Sequence, residues 1–458
     1  MKIVVCVRQG LDGEISPFDA CAYEEALKIP GAEVILLSMG PASVKPFLEN
    51  LTRLGASGGV LLCDGVFAGA DTLATAYALG KAIQKIEPDF IFCGRQTMIG
   101  DTAQTPAMLA EGLGFAMIAN VMEIQSISAG RTCCVTRDGE MVEKIGKVLL
   151  TVERINTLRL PRLRSKIREV LVWGAGDIGA DPARCGLEGS PTSVLKTFEN
   201  QSGKRKCTFI SKAQLHEAVK IGLERSTARL QSVQHPETGG LRNVAVVGNG
   251  PLALAETVSK DITVIPLTDT EDIIERIQKL QPTAVIWGSD PKSKELAARV
   301  AARLELGLCA DCTRLEQEDG ELRMYRPALA GKVYAKIKSL KKPAMATVRT
   351  EEKEQASVVV GLGYGVRNDL ERAKQFAREM GATVASSRKL VDNDYMPYEC
   401  QVGLTGRTIS PAVYIAVGIS GAVHHIAGME RAGTVIAINP DKDAPIFEYA
   451  DFGIVDHF

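Results

Sequence analysis

Apolar residues in this chain gather in short β-branched runs separated by stretches with helical spacing. The runs Ile3–Val7, Val34–Ser38, Val60–Cys63, Phe90–Cys93, Val244–Val247, Thr263–Pro266, Ala284–Trp287, Val358–Val360, Val413–Val417 and Val435–Ile438 predict strands. Between them, Asp71–Lys85 and Glu271–Leu280 carry apolar residues at helical intervals and predict helices. The strand runs are continuous rather than alternating, which implies burial on both faces. Mostly parallel sheets sandwiched by helices follow, an α/β protein.

The chain also echoes itself. Glu87-Pro88-Asp89-Phe90-Ile91-Phe92-Cys93-Gly94 resembles Gln281-Pro282-Thr283-Ala284-Val285-Ile286-Trp287-Gly288, and each leads into an alanine-rich helix ending in Leu113-Gly114 or Leu306-Gly307. A shared strand-helix grammar would produce part of this. Similar order over about 30 residues favours two related lobes packed about a pseudo-twofold. Between them Ser202–Lys206 is polar, Lys212–Arg229 predicts one amphipathic helix, and His235–Gly240 is turn-rich. A charged run at Thr350–Gln355 precedes a new strand. The expected units are residues 1–232 with a C-terminal arm, a linker at 233–242, then 243–350 and 354–458.

At 458 residues the chain exceeds one ordinary core, in keeping with several domains. Lysine plus arginine number 54 against 55 acidic residues, so no basic surplus exists for a phosphate backbone or an anionic membrane, and nucleic acid is excluded as a main partner. No window approaches the eighteen or so apolar residues a membrane helix needs, and no membrane insertion is expected. Eleven cysteines, an odd number scattered among apolar residues, fit a reducing cytoplasm better than a disulfide framework.

Candidate chemistry concentrates at strand ends. The strand Val413–Val417 runs into Gly418-Ile419-Ser420-Gly421-Ala422-Val423-His424-His425, which reads as a helix opening at a glycine-bearing turn, where free amides favour an anion or an electron-rich ring edge. Ser386-Ser387-Arg388, Gln401–Gly406 and Ile438-Asn439 follow neighbouring strands, and in a doubly wound sheet such ends converge on a nucleotide crevice. Ordinary turns need glycine too, so the weight lies in several such turns together. His424 and His425 point about 100° apart on a helix, which disfavours a shared metal. Cys309–Cys312 is a lone CxxC that reads as buried thiols. Gly248–Ala253 with Asp269 is a weak dinucleotide fingerprint. Gly94–Gln96 with Gly100–Thr105 can cradle a phosphate, whereas helix capping explains Gly69–Thr72 equally well.

Together these motifs resemble a known family. Ser387-Arg388, Val402-Gly403-Leu404-Thr405-Gly406, Tyr414–Ala422, His425–Met429, Ala437-Ile438-Asn439 and Ala444–Phe447 resemble the FAD domain of the electron transfer flavoprotein α subunit, and Met345–Arg349 its preceding domain. Residues 1–232 resemble the β subunit through Ser16-Pro17-Phe18-Asp19, Leu37–Pro41, Cys93–Gln104 and Gly189–Thr192. The resemblance implies a natural fusion of a β-type and an α-type chain. Its fold would be two related adenine-nucleotide-hydrolase-like α/β lobes plus a doubly wound FAD-binding domain.

The same resemblance implies roles. Arg388 would lie against the flavin ring and favour its reduced anionic forms, Thr405 would sit near the N5/O4 edge, and His425 near N1/O2. The amides of Ser420, Gly421, Ala422, Val423, His424 and His425, with Asn439, would hold the rest of FAD. Cys6, Ser16, Pro17, Phe18, Asp19, Met39, Asp101, Thr102, Gln104 and Thr105 align with a second nucleotide site, holding AMP in simple carriers and a second FAD in bifurcating relatives that take hydride from NADH. Gly69–Tyr77 with Gly100–Gln104 is similar to the bifurcating type. Tyr364 stands where an arginine is usual, Leu404 where a glutamine is usual, and the chain ends at Asp456-His457-Phe458, where an aspartate often helps bind the adenosine. The implied function is electron transfer between a flavin dehydrogenase, of the acyl-CoA type, and another redox protein. A plain carrier with one FAD plus AMP and a degenerate nucleotide-binding scaffold are the alternatives.

Overall fold

The computed structural model describes the chain apart from residues 11–12, 98–99, 101, 129, 154–155, 200–203, 232–239, 329–332, 350–356, 394, 404–405 and 408, with backbone alone for residues 199, 227–231, 398 and 423. Expected site residues Asp101, Leu404 and Thr405, most of the expected linker and the seam at 350–355 therefore lie outside the described residues. Two compact units emerge: residues 1–198, 238–329 and 334–350 form one, and residues 199–237, 330–333 and 351–458 the other.

In the first unit, the runs read as strands assemble into two parallel sheets. The larger has the spatial order Gly58–Leu62, Glu33–Met39, Lys2–Cys6, Phe90–Gly94, Val148–Val152, Ala116–Ile127, with Val170–Trp173 at one edge and the antiparallel pair Arg131–Thr136 and Met141–Ile145 at the other. The smaller reads Ile262–Ile265, Val244–Val247, Ala284–Trp287, Ala344–Val348, Leu308–Cys312, parallel throughout. Taken in chain order, both share one topology: the first strand is central, the last inserts beside the strand that carries the internal echo, and the preceding one is pushed to the edge. The repeat read from Gly94 and Gly288 is thus a repeat of fold. The helices after the echoed strands, Thr105–Leu113 and Pro291–Arg303, occupy equivalent places and meet. Leu109, Ala110, Ala297 and Ala301 share one apolar cluster there, while Glu111 pairs with Arg299 and Arg303 at its border. Alanines suit this contact because small side chains let helix backbones approach.

The second unit is one parallel sheet in the order Thr383–Ser386, Val358–Leu362, Val413–Val417, Thr434–Ile438, Phe452–Ile454, with Thr208–Phe209 added at the edge. Its strand order, 2-1-3-4-5 within the domain, is that of a doubly wound fold whose direction of winding reverses between the first and third strands. The stretch that precedes the linker is firmly held here. Arg205 donates to the carbonyls of Gly433, Glu430 and Ala432 and to Asp451 Oδ2 at 2.5 Å. A 3-10 turn Lys212–Gln214 leads into helix Leu215–Gln231, whose Leu215, Ala218 and Val219 enter the core. Gly222 lets that helix close on the sheet, since a Cβ there would meet Val413 Cγ2 at 2.7 Å. Among the described residues no helix is long and apolar enough to cross a membrane.

Candidate functional site

In the second unit, the switch between strands Val358–Leu362 and Val413–Val417 is where a doubly wound sheet opens a crevice. Gly363 donates to the Val417 carbonyl and Gly365 to that of Gly418, tying the two exit loops together. The chain then turns through Gly418 (φ 64°) and Gly421 (φ 93°). A Cβ on Gly421 would lie 2.2 Å from Ile446 N, so only glycine fits. These left-handed residues delay the helix expected from the turn: it begins at Val423, capped by exposed Ala422, and runs only to Met429. The N–H groups of Ser420, Gly421 and Ala422 donate to no partner among the described residues. A row of free amides on an exposed, tightly buttressed turn is suited to phosphate oxygens or a ring carbonyl.

Around it stand the other candidates. Ser387 begins the turn of helix Arg388–Val391, and the hydroxyls of Ser386 and Ser387 are buried without a partner. Arg388 Nε donates to Asp392 Oδ2 at 3.1 Å, its side chain about one-third exposed. Val402 is buried beside Ser386, and Gly403 packs on the short helix, where a Cβ would strike the His424 carbonyl at 2.7 Å. His424 is exposed and His425 buried, so the two do face apart. Asn439 braces the turn itself: Nδ2 donates to the Ile419 carbonyl and Oδ1 accepts from Asp441 N–H. Tyr364 carries the Lys389 ammonium 4.4 Å and the Arg367 guanidinium 4.7 Å from its ring centre, so positive charge surrounds the position where a tyrosine replaces the usual arginine.

The partner of His425 was not legible in advance. Tyr414 Oη lies 2.9 Å from its Nε2. Gly361 on the neighbouring strand makes this possible, because a Cβ there would sit 1.8 Å from the hydroxyl. Burial pushes the imidazole pKa down to about 4, with the Val402 carbonyl opposing. At neutral pH His425 is therefore uncharged. Nδ1 is buried without a hydrogen-bond partner among the described residues, and the direction of the Tyr414–Nε2 bond follows the imidazole tautomer.

In the first unit, Cys6, Met39 and Cys93 lie at the carboxyl ends of adjacent strands. Helix Pro17–Lys28 begins above them, with Phe18 buried under the Arg95 guanidinium, 4.9 Å from the ring centre. Asp19 is fully enclosed and braces the two central strands: its carboxyl accepts from the Arg8 N–H at 2.9 Å and from the Gly94 N–H. Gly94 is obligatory, since a Cβ would lie 2.4 Å from Asp19 Oδ1. Burial outweighs these bonds and raises the carboxyl pKa to about 7. Thr102 and Thr105 are half-buried at the start of helix Thr105–Leu113. Among the described residues, Ser16 Oγ and Gln104 Nε2 in these segments are buried without a partner. Gln104 Oε1 accepts from Thr72 Oγ1 at 3.2 Å, which joins the Gly69–Thr72 and Gly100–Thr105 motifs. Asp71 caps its own helix through Leu73 and Ala74 and also accepts from Thr192.

The weaker motifs resolve as structure. Gly248 leads to a helix of only four residues, Leu252–Ala255, and Asp269 accepts from the Asp272 N–H as a helix cap. Cys309 and Cys312 are buried in strand Leu308–Cys312. Among the described residues no cluster of ligating side chains could hold a metal ion.

Comparison with known proteins matches this division. The family model described as the electron transfer flavoprotein FAD-binding domain matches residues 353–430, and the electron transfer flavoprotein domain matches residues 3–153 and 263–360. Among relatives, the electron transfer flavoprotein subunit beta of Thermoanaerobacterium thermosaccharolyticum is 36% identical, covering 49% of this chain and 89% of that protein. The subunit alpha of the same organism is 36% identical over 40% of this chain and 69% of its own length. Protein FixA of Azorhizobium caulinodans is 37% identical over 44% of this chain and 79% of its own. With a β-type first half, an α-type second half and a flavin-domain crevice at the switch of its last sheet, this chain belongs to the electron transfer flavoprotein family as a single-chain fusion of the two subunits.

Proposed function

We propose that this chain passes electrons between a flavin dehydrogenase of the acyl-CoA type and another redox protein, using FAD in its C-terminal domain and, in its N-terminal lobe, a second FAD whose electrons enter as hydride from NADH and are divided between those two partners. The carrying observation is the run of free amides at Ser420–Ala422, on a turn that only glycine can make. FAD supplies the redox chemistry, accepting and releasing electrons one at a time. The residues of this chain set the energy of those changes. Free amides and the Arg388 guanidinium stabilise negative charge gained on reduction. His425, kept neutral by burial and hydrogen-bonded to Tyr414, contributes a dipole rather than a full charge.

For the N-terminal lobe, the support is the pair of buried unpartnered groups Ser16 Oγ and Gln104 Nε2 at one set of strand ends. The bond between Thr72 and Gln104 unites the two segments that resemble the bifurcating type, which favours a second flavin over AMP. Leu160 and Leu163, almost wholly exposed beside Arg162, Arg164 and Lys166, suit a protein partner with an apolar spot ringed by acid.

Nucleotide content tests the reading. Purified chain should release two FAD per polypeptide on denaturation, and NADH should bleach its visible absorbance without any dehydrogenase. One FAD plus one AMP, with no bleaching, would replace it by the plain carrier. Failure to bind FAD at all would leave only a scaffold.

A further inference from the structure

The N-terminal lobe holds a feature that nucleotide binding does not require. Cys6 ends strand Lys2–Cys6, and Cys93 lies in the adjacent parallel strand as its direct register partner. Such partners stand about 4.8 Å apart, within the 4.4–6.8 Å that a disulfide spans between Cα atoms. Their side chains leave the sheet on the same face, for both belong to one apolar cluster, whereas Val5 and Phe92 belong to the cluster on the other face. The two thiols lie close enough to interact electrostatically. Cys6 is partly open to solvent and Cys93 nearly buried, so a small oxidant meets Cys6 first and leaves Cys93 as the resolving thiol.

Other cysteines lack this combination. Cys309 and Cys312 are close but both are buried within a strand, out of reach of an oxidant. Cys133 and Cys134 are consecutive in a strand, so their side chains point to opposite faces. The neighbouring Cys6 thiol, burial and the nearby Asp19 carboxyl all push the Cys93 thiol well up, which leaves the more open Cys6 as the attacking sulfur.

We propose that Cys6 and Cys93 form a peroxide-sensitive dithiol whose closure to a disulfide shuts the nucleotide site of the N-terminal lobe. The closing of the bond stands on its own; its effect on nucleotide rests on the function proposed above. The chemistry balances with hydrogen peroxide as oxidant. Cys6 sulfur takes one peroxide oxygen to form a sulfenic acid and releases water. The Cys93 sulfur then displaces hydroxide from it, so two thiols and one peroxide give one disulfide and two waters. Bonding draws the sulfurs to about 2.05 Å. The strain falls on Gly94, next to Cys93, and through its contact with Asp19 on the start of the helix that carries Ser16.

The test uses the full chain stripped of nucleotide, with AMP as probe, since AMP is the shared portion of both candidate ligands. After a slight excess of peroxide, peptide mapping should find Cys6 joined to Cys93, with two thiols lost and regained on treatment with dithiothreitol. AMP affinity should fall about tenfold or more on oxidation and recover on reduction. Cys93→Ser should abolish both the linked peptide and the loss of AMP binding; Cys6→Ala, whose own AMP affinity is not the readout because Cys6 stands at the nucleotide site, should abolish the linked peptide. Oxidation of other cysteines before this pair would overturn the dithiol. A linked peptide with unchanged AMP affinity would overturn the switch. Reduced protein that binds neither AMP nor FAD in this lobe would remove the function proposed for it, and the peptide map would still decide the dithiol.

Discussion

Replacing Asp19 by asparagine isolates the cost of enclosing a carboxyl group. Its pKa rises from an ordinary 3.8 to about 7 because burial outweighs the Arg8 and Gly94 amides. Between those values the folded chain holds a proton that the unfolded chain has released. Stability therefore falls as pH rises, by about 1.4 kcal/mol per pH unit. The whole loss is about 4 kcal/mol, complete only above neutral pH. Asp19→Asn cannot ionise and should lack this slope. Asparagine also places an amide where one of two acceptors stood, but that penalty is the same at every pH, so the slope remains the readout. The two tryptophans, Trp173 and Trp287, both lie in the first unit and report its unfolding. Urea curves at pH 5, 6, 7 and 8, followed by their fluorescence, should show the wild-type midpoint approaching or crossing below that of the variant. With a urea slope of roughly 2–3 kcal/mol/M, the relative shift is about 0.5 M per pH unit from 5 to 7. Parallel wild-type and variant curves would mean that Asp19 titrates normally. A difference that widens in favour of the wild type as pH rises would mean that Arg8 keeps it ionised, and the reasoning about burial would fail.

Four further substitutions probe the C-terminal domain. Arg388→Ala should lower the midpoint potential of bound FAD by about 40 mV, equivalent to the ~1 kcal/mol expected of a partly exposed, already paired cation; an unchanged potential in a redox titration would place Arg388 away from the flavin. Tyr414→Phe leaves a buried imidazole nitrogen unsatisfied at a cost of about 1–3 kcal/mol, and Gly361→Ala, which drives a methyl into the hydroxyl, should lose FAD more completely. Flavin retention after gel filtration ranks the two, and full retention by both would detach the pair from the site. Arg205→Ala uncovers three carbonyls and Asp451, about 3 kcal/mol or more in a half-buried setting; hydrogen exchange at Thr208–Phe209 should accelerate, while unaltered protection would show that the helix alone anchors the arm.

Each run read as a strand overlaps an observed one, because strands covered on both faces must be continuously apolar. Among those missing from that reading are Ala116–Ile127, Arg131–Thr136 and Met141–Ile145, whose exposed positions interrupt the apolar signal, Leu308–Cys312, whose CxxC spacing drew a chemical reading although all five residues are buried, and the short runs Val148–Val152, Val170–Trp173 and Ala344–Val348. The candidate site was legible where its chemistry is local: Gly418 and Gly421 mark a turn wherever they occur. It was not legible where chemistry comes from contact. Nothing in the spacing of Tyr414 and His425 says that a strand residue reaches back to a helix residue through the gap left by Gly361, or that burial there keeps the imidazole uncharged. Likewise Asp19 has the look of an ordinary first-turn acid until Gly94 closes over it.

The two related lobes show why shared topology does not give shared binding. Where the first lobe has Cys6 and Cys93 at the ends of its central strands, the second has Val247 and Trp287 in the same register, and that indole is wholly buried. Where the first leaves Ser16 Oγ and Gln104 Nε2 buried without partners, the second uses its carboxylates on itself, Asp269 and Asp290 each capping a helix. A buried polar atom without a partner costs about 1–3 kcal/mol, and a fold retains two of them at one opening only if something supplies the missing bonds. In the second lobe Trp287 Nε1 is also buried without a partner, but the enclosed indole fills that strand end and leaves no opening at which a ligand could meet it. A chain of three α/β lobes is therefore expected to carry two nucleotides and not three, one in the N-terminal lobe and one on the free amides that follow Val413–Val417.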